Sequence, residues 1–261
     1  VNPSRALGVF YGVGIGPGSP DLLTLRALEI LRRVPVVFAP KAAIADEGLA
    51  QGILLKALSS VGAPAARAEF RELFFPMSKD PAVLEPAWDL ACRELLAVLR
   101  QGRDCAFVTL GDTAIYSTYM NLVAGLKAAE PQLVIRTAAG ISSFSQAAAE
   151  WNLSLAEKEE RLAVLPCLGD VQALRPELER FDTVVLLKVG RRFEALRDLL
   201  REMGLLAHSH LAVRLGADDG ILTSDLEAVR PEAVTYMSLV IVRRPPQGGY
   251  GGSKGGDVEV S

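Results

Sequence analysis

The stretch Tyr11-Gly12-Val13-Gly14-Ile15-Gly16-Pro17-Gly18-Ser19-Pro20-Asp21-Leu22-Leu23-Thr24-Leu25-Arg26-Ala27 decides how the chain is read. It opens as a short apolar strand and breaks into glycines at alternate positions, with prolines after them. It resumes as a helix with apolar Leu22, Leu25, Leu28 and Leu31. A bare-backbone loop between strand and helix lies at the C-terminal end of a strand, where open parallel sheets bind ligands. The dinucleotide pattern G-x-G-x-x-G does not fit it. Counted from Gly12 the third glycine falls on Pro17, and counted from Gly14 it falls on Ser19. A second strand ending in an acidic residue is also expected of that pattern, but the run from Val34 ends at Pro40 and Lys41. The loop therefore serves something other than a pyrophosphate.

Working outward, strand and helix patterns alternate. Strands are predicted at 7–13, 34–39, 67–73, 104–110 and 133–136, with helices at 21–33, 47–58, 81–100 and 116–128, and another after Ser143. Asp21 is placed to favour the first helix's positive end, and Pro86 interrupts the long third helix pattern. The alternation then restarts, with strands at 161–166, 182–188, 210–214, 219–223 and 234–243 and helices at 171–180 and 191–203. Such alternation predicts two α/β domains with largely parallel sheets. The expected division is 1–137 and 138–245, followed by a Gly-rich disordered tail at 246–261.

Composition narrows the function. The chain has 261 residues, of which 50% are hydrophobic and 23% charged, with a net charge of -3. A nucleic-acid partner would want a basic stripe, so none is expected. No apolar run reaches the length of a membrane span, and the first residues lack the pattern of a secretory leader. Cys92, Cys105 and Cys167 stand far apart, without metal-ligand or disulfide spacing. A cytoplasmic location without a resident metal is the expectation. A His-x-His on a strand would put His208 and His210 on one face, with no further ligand to join them.

Chemistry concentrates in glycine-containing breaks at strand ends: the opening loop, Gly111-Asp112-Thr113 and Gly140-Ile141-Ser142-Ser143. Strand ends of one parallel sheet face the same side, so these loops can line one cleft. They offer backbone N–H and C=O groups, small hydroxyls and a carboxylate, a surface suited to a polar small molecule. No nucleophile elbow appears, and no carboxylate pair stands out. Chemistry in which the protein positions a reactant carrying its own leaving group is favoured.

On these residues the chain resembles the tetrapyrrole (class III) methyltransferases. Tyr11 to Ala27 looks like the family's first signature. Leu110-Gly111-Asp112-Thr113-Ala114-Ile115-Tyr116 resembles its Gly-Asp-Pro segment, with Thr113 in place of the proline, and Gly140-Ile141-Ser142-Ser143 resembles its third cofactor loop. Phe75-Pro76-Met77-Ser78-Lys79-Asp80 and Tyr116-Ser117-Thr118-Tyr119-Met120 resemble the members that methylate precorrin-2 at C20 in cobalamin synthesis. The resemblance implies two α/β domains with S-adenosyl-L-methionine in the cleft between them. It places Pro17, Leu110, Gly111, Asp112, Ile115, Ser142 and Ser143, with Lys188 and Gly216 from the second half, at the cofactor. It also implies a homodimer and conversion of precorrin-2 to precorrin-3A. Pro40 stands near a position where some relatives carry an aspartate, so the proton acceptor stays unassigned. Lys41, Arg71, Lys79, Arg191, Arg192 and Arg214 are candidate partners for substrate carboxylates. Open alternatives are a cobalt-loaded substrate (cobalt-factor II), an NAD-dependent oxidoreductase and a non-catalytic tetrapyrrole carrier.

Overall fold

The computed structural model describes residues 6–41, 49–60, 68–76, 78 and 80–244. The expected tail at 246–261, and Met77 and Lys79, lie outside them. The chain divides into two compact units, one made of Val1–Asn152 with Arg214–Ile221 and the other of Leu153–Val213 with Leu222–Ser261.

The first unit holds strands β1 (Phe10–Gly14), β2 (Val36–Lys41), β3 (Glu69–Phe74), β4 (Cys105–Thr109) and β5 (Ile135–Ala138) in the order β3-β2-β4-β1-β5. All registered pairs are parallel. Every residue of β1 and β4 is buried, as expected of strands covered on both faces. Side chains alternate between two cores. Phe10, Val36, Phe38, Cys105 and Phe107 point to a face covered by α3 (Pro81–Leu99) and α4 (Tyr119–Ala129). Tyr11, Val13, Val37, Ala39, Ala106 and Val108 point to the other, covered by α1 (Leu25–Arg33) and α2 (Leu49–Ser60). β1 and β4 are neighbours, yet the helices that follow them cover opposite faces. That divergence opens a crevice at their C-terminal ends, the switch point where such sheets place ligands.

Local chemistry sets the helix ends. Asp21 does not begin α1: Pro20–Leu22 form a separate 3-10 turn, and Leu23 is extended. Thr24 is the cap, its hydroxyl oxygen accepting the Ala27 N–H at 3.2 Å. In α3, Asp80 accepts the Ala82 N–H at 2.9 Å and Pro81 fills the first turn. Pro86 lies inside α3, which continues through it.

The second unit's sheet has the order β6-β7-β10-β8-β9, from β6 (Leu162–Pro166), β7 (Thr183–Leu187), β8 (Ser209–Val213), β9 (Ile221–Thr223) and β10 (Ser238–Arg243). Here the expectation of a parallel sheet is corrected. β6 and β7 are parallel, but β10 runs antiparallel to both β7 and β8. A parallel neighbour needs a crossover connection. Between β8 and β10 lie only β9 and the 3-10 turn Pro231–Ala233. The helices are α6 (Arg175–Arg180) and α7 (Phe193–Glu202), and α7 buries Phe193, Leu196, Leu199 and Leu200 as one stripe.

Candidate functional site

The crevice of the first unit is built from the loops after β1, β4 and β5. Ile15 N–H donates to Thr109 O at 3.0 Å, and Gly111 N–H donates to Gly16 O at 2.7 Å. The opening loop is thereby sewn to the Gly-Asp-Thr loop one residue beyond the sheet. The third loop closes on both. A Cβ on Gly140 would stand 2.1 Å from Gly111 O and 2.8 Å from Gly14 Cα. Only a bare α-carbon allows three backbones to meet there. At Gly111, by contrast, a Cβ would meet nothing nearer than Ile141 O at 4.0 Å, so this backbone is not crowded.

Asp112 ties the second and third loops together. Its Oδ2 accepts Gly140 N–H at 2.9 Å and its Oδ1 accepts Ala114 N–H at 2.8 Å. Both carboxylate oxygens thus serve backbone donors, one of them 28 residues away. Ser142 is the residue before α5 (Ser143–Glu150), and its hydroxyl pairs with Ser145 Oγ at 2.7 Å rather than capping the helix. Pro17 is buried, Leu110, Gly111, Asp112, Ser142 and Ser143 are half-buried, and Ile115 is exposed.

Gly216 also comes to the opening loop. A Cβ on Gly216 would lie 2.3 Å from Ser19 N, and one on Gly18 would lie 2.1 Å from Leu215 O. The segment 214–221 therefore forms a shelf against Gly18 and Ser19, and Gln146 Nε2 of α5 donates to Ser19 Oγ at 3.0 Å. Seven of the expected cofactor residues thus sit on three touching loops, and Gly216 joins them. Lys188 belongs to the second unit, at the end of β7, where its ammonium lies 5.5 Å from the Tyr236 ring centre.

Beneath the loops runs a partly buried polar chain. Ser117 Oγ donates to Thr109 Oγ1 at 3.0 Å and accepts Tyr119 N–H at 3.1 Å. The Tyr119 ring occupies the space of a Cβ at Gly12, and its hydroxyl meets Thr137 Oγ1 at 2.7 Å. Burial pushes the Tyr119 phenol up, partly offset by the Thr137 hydrogen bond. Tyr116, Lys188 and Arg214 hold positive φ angles of 49°, 61° and 47°. Each such non-glycine backbone costs on the order of 1–3 kcal/mol and persists only where its surroundings impose it.

The candidate carboxylate partners are less available than their sequence implies. Lys41 pairs with Glu72 at 2.7 Å, Arg71 with Glu69 at 2.7 Å, and Arg214 with Asp219. Arg191 and Arg192 are exposed. His210 Nδ1 pairs with Ser224 Oγ at 2.7 Å, and among the described residues no group of three or more His, Cys, Asp or Glu could hold a metal ion. No helix among the described residues is long and apolar enough to cross a membrane.

Residues 9–229 match the tetrapyrrole (corrin/porphyrin) methylases. The chain belongs to this family. It is 33% identical over 199 residues to a cobalt-precorrin-2 C(20)-methyltransferase of Salmonella typhimurium, a match covering 76% of this chain and 80% of the relative. It is 30% identical over 239 residues to a probable cobalt-precorrin-2 C(20)-methyltransferase of Methanocaldococcus jannaschii, covering 90% and 95%. In fold it resembles a uroporphyrin-III C-methyl transferase of Thermus thermophilus solved with S-adenosyl homocysteine, with a TM-score of 0.60 and 20% identity over 90% of this chain and 97% of that one. In this tetrapyrrole methylase, Gln146, Leu215, Tyr119 and Thr137 are parts of the site that sequence reasoning missed. Gln146 left one visible signal, a polar side chain directly before the run Ala147-Ala148-Ala149 of α5.

Proposed function

We propose that this chain catalyses S-adenosylmethionine-dependent methyl transfer to C20 of precorrin-2, giving precorrin-3A in cobalamin synthesis. The observation that carries the reading is its identity, over most of the chain, to two relatives named for methylation at that carbon. The convergent loops fit the donor. Gly111 presents an uncrowded backbone, while Gly14 and Gly140 bring the loops together. Pro17, Leu110, Gly111, Ile115, Ser142, Ser143 and Gly216 are assigned to the methyl donor, and Lys188 is assigned to it on the sequence resemblance. Asp112 acts on the donor through the loops it joins.

When bound, S-adenosylmethionine would supply an electrophilic methyl group, the new C20–CH3 bond forming as the S–CH3 bond breaks, with S-adenosylhomocysteine leaving and the C20 proton lost. The chain's contribution is to hold two reactants in line and keep water out. The half-buried Thr109–Ser117 and Tyr119–Thr137 pairs brace the floor. Both relatives carry cobalt-precorrin-2 in their names, so a cobalt-loaded substrate is the second reading. We also propose a cytoplasmic homodimer, on the family resemblance and the three unpaired thiols. Light scattering should give twice the chain mass.

The test incubates the protein with isotopically labelled donor and either the metal-free or the cobalt-loaded tetrapyrrole. Mass spectrometry should find one added methyl, located at C20. No methylated product from either substrate would overturn the reading, and a marked preference for one form would decide between the two substrates.

A further inference from the structure

We propose that Gln146 is a positioning residue for the methyl donor: its amide fixes the far half of the opening loop, at Ser19, against the helix that follows the third loop. The proposal rests on the methyltransferase reading above. The near half of the opening loop is held by backbone, Ile15 N–H donating to Thr109 O and Gly111 N–H to Gly16 O. Farther along, a side chain takes over. Gln146 Nε2 donates to Ser19 Oγ at 3.0 Å, across 127 positions of sequence. Ser19 stands at the cap of the 3-10 turn Pro20–Leu22, where a serine oxygen commonly accepts a backbone N–H of the element it starts. It makes no such bond, and its hydroxyl serves Gln146 instead. Gly216 closes on the same group, since a Cβ there would lie 2.7 Å from Ser19 Oγ. Three remote segments of the first unit thus meet at one hydroxyl.

Energetics sets this tie apart from ordinary packing. Gln146 is 7% exposed, and its Oε1 is buried without a hydrogen-bond partner among the described residues. An orphaned buried carbonyl costs at least as much as one neutral hydrogen bond returns. For folding, the amide is therefore neutral or unfavourable, and an apolar side chain of similar volume would fill the place as well. Such a side chain would not supply the bond to Ser19. On the loop side of that bond lies Pro17, and on the helix side Ser142 and Ser143 begin α5, all three assigned to the donor. A loop already held in its binding conformation loses less freedom when the ligand arrives. The tie therefore acts on donor affinity rather than on stability.

The test compares the full chain with Gln146→Met, Ser19→Ala and the double variant. S-adenosylhomocysteine affinity is read by calorimetry, tetrapyrrole affinity from the change in its absorption spectrum, and folding from the thermal midpoint. Gln146→Met keeps the volume without the amide and should weaken S-adenosylhomocysteine binding roughly fivefold, the scale of one neutral hydrogen bond. Its thermal midpoint should be unchanged or higher, and its tetrapyrrole affinity should stay within about twofold of the parent. In turnover, KM for S-adenosylmethionine should rise by a like factor while KM for the tetrapyrrole holds. Ser19→Ala should show the same loss, and the double variant no more than either alone, because each change removes the same bond. The proposal is overturned if Gln146→Met binds S-adenosylhomocysteine like the parent. It is also overturned if that variant lowers the midpoint and weakens both ligands alike, or if the two single losses add. A parent that binds S-adenosylhomocysteine and methylates while Gln146→Met is unimpaired sinks this proposal alone. A parent that neither binds S-adenosylhomocysteine nor methylates a tetrapyrrole sinks the functional reading with it.

Discussion

Asp112 shows how one side chain can matter to a ligand without being aimed at it. Its two oxygens are committed to the N–H groups of Ala114 and Gly140. Asp112→Ala would leave the exposed Ala114 N–H to water but take the acceptor from the partly buried Gly140 N–H, at a cost of up to about 1–3 kcal/mol, and would release the third loop from the second. Asp112→Asn keeps one acceptor but turns an NH2 toward a donor. Calorimetry should therefore find S-adenosylhomocysteine affinity falling by about tenfold in the alanine variant and by less in asparagine, with tetrapyrrole affinity little changed. Equal affinity in all three proteins would refute the clamp. The residue was legible in the sequence as part of a loop at a strand end. Its partner was not, because Gly140 meets Asp112 only once β4, β1 and β5 have paired in their register. The same holds for Tyr119, whose ring fills the gap left by a glycine 107 positions earlier in the chain, as its own number and that of Gly12 show.

Among the elements, the crossing of α3 and α4 carries a prediction with a change of sign. A Cβ on Gly125 would lie 2.7 Å from Cys92 Sγ. Gly125→Ala gains about 1 kcal/mol of helix propensity but meets that sulfur, and overpacking typically costs about 1–3 kcal/mol. Alone it should destabilise or break even. With Cys92→Ala the obstruction is gone, and the same substitution should stabilise. Denaturant unfolding of the four proteins in a double-mutant cycle measures the coupling, and additivity within about 0.3–0.5 kcal/mol would refute the contact. Element identity was readable because apolar periodicity and strand–helix alternation are local. Element direction in the second sheet was not. Strand residues look alike whether their neighbour runs parallel or antiparallel, and β10 is reached by a short connection rather than a crossover. Helix starts depended on one side chain: Thr24, not Asp21, supplies the oxygen that α1 needs.

At the scale of the whole molecule, buried acids govern the response to alkali. Burial, reinforced by Asp104, pushes the Cys105 thiol up to about 12. Burial also pushes Cys167 up to about 11 against the opposing charge of Arg192, and the Tyr119 phenol moves the same way. Folded values above unfolded ones mean stability is full below the unfolded thiol range, about 8.5. It is lost as pH rises from there toward the folded values, because the unfolded chain releases protons that the folded chain keeps. Each such group adds a downward slope approaching 1.4 kcal/mol per pH unit, roughly, within that window. Urea unfolding at pH 7, 9 and 10 should show midpoints unchanged below about pH 8 and falling above it; a flat series to pH 10 would count against the burial of these groups. A different consequence lies in the order of β6-β7-β10-β8-β9. Its central strand is the last described strand to be translated, and the Leu215–Gly216 shelf of the first unit is also made late, after most of the second. A nascent chain on the ribosome therefore waits with β7 and β8 as open edges until 238–243 emerges. During that interval it offers the kind of unpaired template that recruits other chains, so timely release and chaperone cover bear on how much active protein a cell obtains.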